Sequence, residues 1–251
     1  MAAPLPERAL RLSLVAAVKR LDALGLNRGS TGNASVRGSR RRASGFWITP
    51  SGMGASELSA DDLVWVAEDG RELGAWQASS ESPFHRAIYA ARADLNAVVH
   101  LHSVHATALA CLRRELPAFH YMVAVAGGDD VPCTPYHLFG SDALSRAVAQ
   151  AFAQRHACLM ANHGLVAGGT SLAHAVKVAC EIESLCETYL EALAVGAPAI
   201  LTREQMAEVI ERFKTYGKTR RPTSPANPRR PCRSPSRRRR RTCWASERTP
   251  A

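Results

Sequence analysis

Between residues 7 and 24 apolar side chains recur at helical spacing, broken by Arg11, Lys19, Arg20 and Asp22, and the pattern stops at Gly25. It predicts an amphipathic helix ended by a glycine. "GLNRGSTGNASVR" follows, a glycine- and hydroxyl-rich loop that runs into the strand-like "ASVR", then a short apolar strand "FWIT", a turn "PSGM", and "DLVWVAED", whose alternation predicts another strand bounded by Asp69-Gly70. "SSESPFHRAIYAARADL" carries Ser before Pro and then apolar residues at helical intervals, which starts a helix near Ser82. "NAVVHLH" is a strand and "SVHATALACL" a short helix; "FHYMVAVAGG" reads as buried strand or loop; "SDALSRAVAQAFAQ" is a capped helix; "ACLMANHG" is a strand giving way to a glycine turn. "SLAHAVKVACEIESLCETYLEALAVG" is the longest helix, and "TREQMAEVIERFKTYG" another that ends at Gly217. Strands alternate with helices throughout, so the expectation is one layered α/β domain.

Charge divides the chain. Of its 32 Lys and Arg and 22 Asp and Glu, twelve basic residues and a single acidic one lie from Gly217 onward, leaving 20 and 21 in residues 1–216. The net charge of +10 therefore belongs to the end of the chain, and the body is close to neutral. "RRPTSPANPRRPCRSPSRRRRRTCWASERTPA" has no apolar period and is dense in Pro, Ser and Arg, so residues 217–251 are expected to be a disordered basic tail. A nucleic-acid arm or a module that binds an acidic surface is the functional reading of that tail, and an appended extension the plainer one, favoured because aromatic residues are not interleaved with the arginines in the manner of a stacking platform. Seven cysteines show no CxxC spacing, and the five in the body are expected to be buried free thiols of a cytoplasmic protein. The charged positions in residues 7–24 exclude a signal peptide core, and no run approaches a membrane span.

The chemistry begins in "AVVHLHSVH". Side chains two apart on a strand share a face, so His100 and His102 project together, a two-point grip for a metal. An isolated pair of this kind is more often two half-buried, hydrogen-bonded imidazoles. His163, in "LMANHGLVAGG", sits where a strand meets a turn and can supply a third nitrogen, and Glu81, in "SSESPFH", lies at a helix mouth where a carboxylate can reach a metal or a substrate. Three histidines and a carboxylate match a catalytic zinc site with one position open to substrate. His85, His105, His120, His137, His156 and His174 have no comparable placement and are expected in the core or on the surface. Separately, "GSTGN" (29–33), "TPSG" (49–52) and Ser79-Ser80 offer hydroxyls and free backbone N–H groups suited to a phosphate.

Taken in order, "GLNRGSTGNASVR", "ITPSGM", "SSESPFHRAIYAARADLNAVVHLHSVHATA", "HYMVAVAGGDDVPCTPYHLFG", "NHGLVAGG" and "ERFKTYG" resemble the class II aldolase and adducin family from about residue 7 to 217. The resemblance implies an α/β/α three-layer sandwich with a largely antiparallel central sheet, occupying residues 1–216 and assembled as a homotetramer with sites between subunits. It implies one Zn²⁺ per subunit held by His100, His102 and His163, with Glu81 as a ligand of the resting metal and then the acid/base. Ser30, Asn33, Ser51, Gly52, Ser79 and Ser80 match the phosphate cradle, with Ser30 where the fuculose-phosphate-cleaving members carry threonine. Tyr121 matches a tyrosine that serves a neighbouring subunit's site as proton donor, and Tyr216 one that closes over the substrate.

The implied reaction is reversible cleavage of a ketose 1-phosphate, L-fuculose 1-phosphate or a related sugar phosphate, into dihydroxyacetone phosphate and an aldehyde. A metal takes up the charge that forms, so no Schiff-base lysine is required, and Lys19, Lys177 and Lys214 all lie on expected helices. The same scaffold also serves pentulose-phosphate 4-epimerases and methylthioribulose-phosphate dehydratases, and, more remotely, a metal-free adducin-like scaffold. "HYMVAVAGG" and "CTPYHLFG" favour the aldolase.

Overall fold

The computed structural model describes residues 6–215. The expectations for Tyr216 and for the basic tail lie outside the described residues. Helix α1 spans Glu7–Ala23, and the strands are β1 (Asn33–Arg40), β2 (Ala43–Ile48), β3 (Val64–Ala67), β4 (Glu72–Leu73), β5 (Ala97–Leu101), β6 (Cys133–Thr134), β7 (Ala157–Met160) and β8 (Gly164–Gly169). Between and after them run α2 (Ser82–Ala91), α3 (Val104–Cys111), α4 (Asp142–Ala151), α5 (Leu172–Val195) and α6 (Arg203–Phe213). Local chemistry sets these limits. Gly25 takes φ 73° after α1, Ser141 accepts the Leu144 N–H to start α4, Ser171 accepts the His174 N–H to start α5, and Thr202 with Gln205 forms a capping box on α6.

The strands form a single sheet in the order β4-β3-β2-β1-β5-β8-β7-β6. Every pairing is antiparallel except β6 with β7. Alternate side chains enter two separate cores. Phe46, Ile48, Val64, Val66, Val98 and Val166 pack with Phe84 and Ile88 of α2 and Leu144 and Val148 of α4. Trp47, Trp65, Val99, Leu101, Leu159 and Leu165 pack with Leu14 and Leu21 of α1, Leu109 of α3 and Ile182 of α5. The result is the expected three-layer α/β/α sandwich around a largely antiparallel sheet.

The turn expected after "ACLM" lies at residues 161–163, and "GLVAGG", for which no element is expected, is β8, the strand between β5 and β7. Its glycines serve close packing: a Cβ on Gly164 would meet the Leu101 carbonyl oxygen at 2.5 Å, and one on Gly169 the Ala175 nitrogen at 2.3 Å. "HYMVAVA" is neither strand nor open loop. Tyr121–Ala126 forms a 3₁₀ helix, capped by His120 Nδ1 accepting from the Met122 N–H and closed by Gly127 at φ 85°. Of the five cysteines expected to be buried, Cys158 and Cys186 are, Cys133 and Cys180 are partly so, and Cys111 is exposed; all five are free. Among the described residues no helix is long and apolar enough to cross a membrane.

Gly169→Ala is expected to destabilise the fold by about 1–3 kcal/mol, because its methyl has only backbone to push against. Urea denaturation measures this, and an unchanged midpoint would show that α5 is free to shift off the sheet.

Candidate active site

Register brings the candidate residues to one end of the sheet. Asn33 opens β1 opposite His100, Ser35 pairs with Ile48 near the end of β2, and Leu101, the last residue of β5, pairs with Leu165 near the start of β8. The chain before β1, after β2, after β5 and between β7 and β8 therefore emerges at the same edge. Glu81, on the residue before α2, joins it.

His100 is fully buried in β5 and points to the α2 side of the sheet, with its ring edge-on to Phe84. β5 ends at Leu101, so His102 lies one residue past the strand, yet its ring still turns to His100, with the two Nε2 atoms 3.0 Å apart. His163 follows Asn162, whose φ of 56° makes the turn between β7 and β8. One ring nitrogen from each of the three histidines falls within 4.8 Å of the others. Glu81, 5% exposed, sends Oε2 to within 3.1 Å of His100 Nε2 and Oε1 to within 3.2 Å of His163 Nε2.

This cluster has the donor set and the electrostatics of a cation site. His100 Nδ1 lies 3.0 Å from the Leu165 carbonyl, which can only accept, so Nδ1 carries a hydrogen and Nε2, turned to Glu81 and His102, is the nitrogen left to hold a cation. Oε1 of Glu81 is buried without any hydrogen bond, although His163 stands at ion-pair distance. Two tetrahedral ligand nitrogens on one zinc sit about 3.4 Å apart, so the His100–His102 pair needs to spread by only a few tenths of an ångström. Burial alone raises the Glu81 carboxyl, but His100 and His163 outweigh it and hold the group below the usual carboxylate range. His102 is pushed down to about 4 by burial, then by His100 and His163.

Two buried networks hold the cluster from outside. Asn33 Nδ2 donates to Glu81 Oε2 at 2.8 Å, Asn33 Oδ1 meets His85 Nε2 at 2.6 Å, His85 Nδ1 meets Ser35 Oγ at 2.7 Å, and Ser35 Oγ meets the Tyr89 hydroxyl at 2.8 Å. On the other side of the sheet, Glu183 of α5 accepts from the Ser103 hydroxyl and from the backbone N–H groups of His105 and Ala106 at 2.6–2.9 Å. A carboxylate thus caps the first turn of α3 and fixes the chain directly after His102.

The phosphate-loop residues converge without all facing the cluster. Ala34 N–H donates to Thr49 Oγ1, Ser79 N–H to the Thr49 carbonyl, and Ser51 N–H to the Gln77 carbonyl, which ties the second and third loops to the start of β1. Gly32 has no room for a Cβ, which would meet the His100 carbonyl at 2.7 Å, so the first loop lies against β5, the strand that carries His100. Ser79 is buried and its Oγ accepts from the Glu81 N–H, whereas Ser30, Ser51, Gly52 and Ser80 are exposed. A cavity of about 320 Å³ opens onto Glu81, His102 and His163, with Thr31 and Ser80 on one wall and Tyr136, His137 and Phe139 on another. Gly140, at φ 71°, lets that second wall approach the Ser80 carbonyl, which a Cβ would meet at 3.0 Å. Tyr121 is half-exposed on its 3₁₀ helix and does not line this cavity.

The profile described as "Class II Aldolase and Adducin N-terminal domain" matches residues 13–190. The chain belongs to the class II aldolase and adducin family. Among its relatives, the 5-methylthioribulose-1-phosphate/5-deoxyribulose-1-phosphate aldolase of Rhodospirillum rubrum is 46% identical over 209 residues, 83% of this chain and 93% of that one. The L-fuculose phosphate aldolase of Escherichia coli is 45% identical over 195 residues, 77% and 89% of the two chains. A solved structure of an L-fuculose 1-phosphate aldolase superposes with a TM-score of 0.78 at 37% identity, covering 85% of this chain and 98% of the other.

In this class II aldolase several site residues escaped sequence reasoning. His85 looked like any core histidine, and only its place one helical turn after Glu81 could have hinted at a shared network. Tyr136, His137 and Phe139 come from a loop whose approach to the cavity depends on tertiary packing, whereas Thr31 lies in the "GSTGN" loop already expected to meet a phosphate. Glu183 lies 80 residues from the Ser103 it binds.

Burial and the neighbouring His100 push His85 down from its ordinary value of 6.5 to about 3. Between those values the unfolded chain binds a proton that the folded chain refuses, so stability falls as pH falls. Circular-dichroism melts of the metal-free protein from pH 7 to 4 are expected to show a falling midpoint, with a shallower fall in His85→Gln. A parallel fall in the two proteins would mean that His85 already carries its proton when folded.

Proposed function

We propose that this class II aldolase is a zinc enzyme that reversibly cleaves a ketose 1-phosphate into dihydroxyacetone phosphate and an aldehyde, with L-fuculose 1-phosphate or a related deoxyketose phosphate as substrate. The observation that carries the reading is the meeting of His100, His102, His163 and buried Glu81 in one cluster, three members of which, Glu81, His102 and His163, line a cavity. The names of the relatives from R. rubrum and E. coli support the substrate class. Tyr136 and Phe139 give the cavity an apolar wall, which suits an aldehyde ending in a methyl or methylthio group better than one ending in hydroxyls.

Zinc held by the three histidines supplies a Lewis acid for the ketone carbonyl and for the negative charge left when the carbon–carbon bond breaks. The chain's own groups do the rest. Tyr121 takes the proton of the C4 hydroxyl as the aldehyde leaves; Glu81, ionised in the resting cluster, takes up a proton once substrate displaces it from its partners in the dry pocket and delivers that proton to C3, and exchange with solvent resets both groups, so the net change is one proton moved from oxygen to carbon. Ser79 and Ser80, with Ser30, Ser51 and Gly52, hold the phosphate, whose distance from the breaking bond turns its binding energy into orientation. Asn33 contributes there only with its second amide hydrogen, since its carbonyl oxygen meets His85 and its other hydrogen goes to Glu81. Because Tyr121 stands away from its own cavity, the proposal includes a homotetramer in which it completes a neighbour's site, with Tyr216 closing over the substrate. Residues 1–216 form the aldolase-like domain in this reading and 217–251 an appended basic tail, and the free cysteines support a cytoplasmic setting.

A coupled assay for dihydroxyacetone phosphate across a panel of ketose 1-phosphates is expected to give activity that a chelator abolishes and Zn²⁺ restores. Release of a trappable free aldehyde separates the aldolase from an epimerase or a dehydratase. Glu81→Gln is expected to keep zinc and lose about 10²–10⁴-fold in turnover, while His100→Ala is expected to lose zinc itself. Full zinc occupancy in His100→Ala would sink the ligand assignment, and wild-type turnover in Glu81→Gln would remove Glu81 from proton transfer.

A further inference from the structure

We propose that His85 is a positioning residue for Glu81, acting through Asn33 as the middle member of a one-way hydrogen-bond chain that begins at Tyr89. The inference rests on the reading of Glu81 as the group that moves the substrate proton.

The direction of the chain follows from the carboxylate. Glu81 is ionised and only accepts, so the Asn33 atom 2.8 Å from Oε2 is its NH₂ group. The Asn33 carbonyl oxygen must then face His85 Nε2 at 2.6 Å and can only accept, which places the hydrogen of His85 on Nε2. His85 is fully buried with no carboxylate in hydrogen-bond contact and stays neutral, so its Nδ1 is bare and accepts from the Ser35 hydroxyl at 2.7 Å. Ser35 Oγ in turn accepts from the Tyr89 hydroxyl at 2.8 Å. Every hydrogen in the chain points toward Glu81. Aligned donors polarise one another, and the rigid ring of His85, stacked on Phe84 at 4.7 Å between centroids, prevents the Asn33 amide from turning over. A flipped amide would put its carbonyl against the carboxylate. His85 thus keeps Oε2 held by Asn33 and leaves Oε1, which has no hydrogen bond of its own, as the oxygen free to exchange partners.

Nitrogen-15 NMR of histidine-labelled, metal-free wild-type protein reads the ring directly and requires no variant to fold. The expected signal for His85 is the neutral ring protonated on Nε2; an Nδ1-protonated ring or an imidazolium at neutral pH overturns the proposal. With zinc-loaded protein, exchange of the carbon-bound proton of dihydroxyacetone phosphate in deuterated water reads Glu81. His85→Leu is expected to slow it about 10–100-fold, with the apparent KM for dihydroxyacetone phosphate and the zinc affinity, read by chelator competition, changed far less. His85→Gln retains a donor facing Asn33 and is expected to recover most of the rate, and Tyr89→Phe to show a smaller loss in the same direction. Wild-type exchange in His85→Leu, or no recovery in His85→Gln, overturns the proposal. Glu81→Gln is the reference: if it also exchanges normally, the reading of Glu81 has failed, whereas a dead Glu81→Gln beside a normal His85→Leu removes His85 alone.

Discussion

A carboxylate shut away among three imidazoles is the constraint around which this molecule is arranged. Glu81 is 5% exposed and faces His100 and His163 at 3.1 and 3.2 Å, and an ion taken out of water that far is tolerated only with partners in place. Removing one partner of such a buried pair typically costs about 3–5 kcal/mol. Glu81 stands at the entry of α2, where Ser82 and Pro83 start the helix, and its imidazole partners come from β5 and from the turn before β8. The antiparallel pairing of β1, β5 and β8 is what brings Asn33, His100 and the His163 turn to one edge.

The surrounding polar groups are shared out between two faces of the sheet. On the α2 side the Asn33–His85–Ser35–Tyr89 chain backs the carboxylate. On the α5 side Glu183 pins the first turn of α3. Glu183 is itself held below its ordinary value, since its four hydrogen bonds to Ser103, His105 and Ala106 outweigh the opposing effect of burial. Asn33, His85, Ser35, Tyr89 and Glu183 are not among the residues that line the cavity, and the two networks act on how Glu81 and the chain after His102 are held.

Much of this was legible in the sequence. The period of residues 7–24, the Ser-Pro entry at 82–83 and the capped entry at Ser141 all gave elements within a residue or two of those observed, because each rests on local backbone chemistry. His100 and His102 were legible from their spacing, and His163 and Glu81 from their places at a strand end and a helix mouth. What local rules could not supply was partnership at a distance. β8 carried no strand signal because glycine is rare in strands; its glycines are demanded by the Leu101 carbonyl, Phe152 and the α5 backbone. The 3₁₀ helix at Tyr121–Ala126 has the apolar composition of a strand and is set by the His120 cap. His85 carried no signal of its own, since its meaning depends on Asn33 and Ser35 standing 52 and 50 residues away.

The three imidazoles are not mounted alike. His100 belongs to a strand paired on both sides, whereas His102 sits just past a strand end and His163 on a left-handed turn. One ring is therefore set within the ladder and two stand on the connections that leave it, both lining the cavity. The two rings that face open space thus stand on backbone that carries no rung of the central ladder, and the deep one on backbone that does.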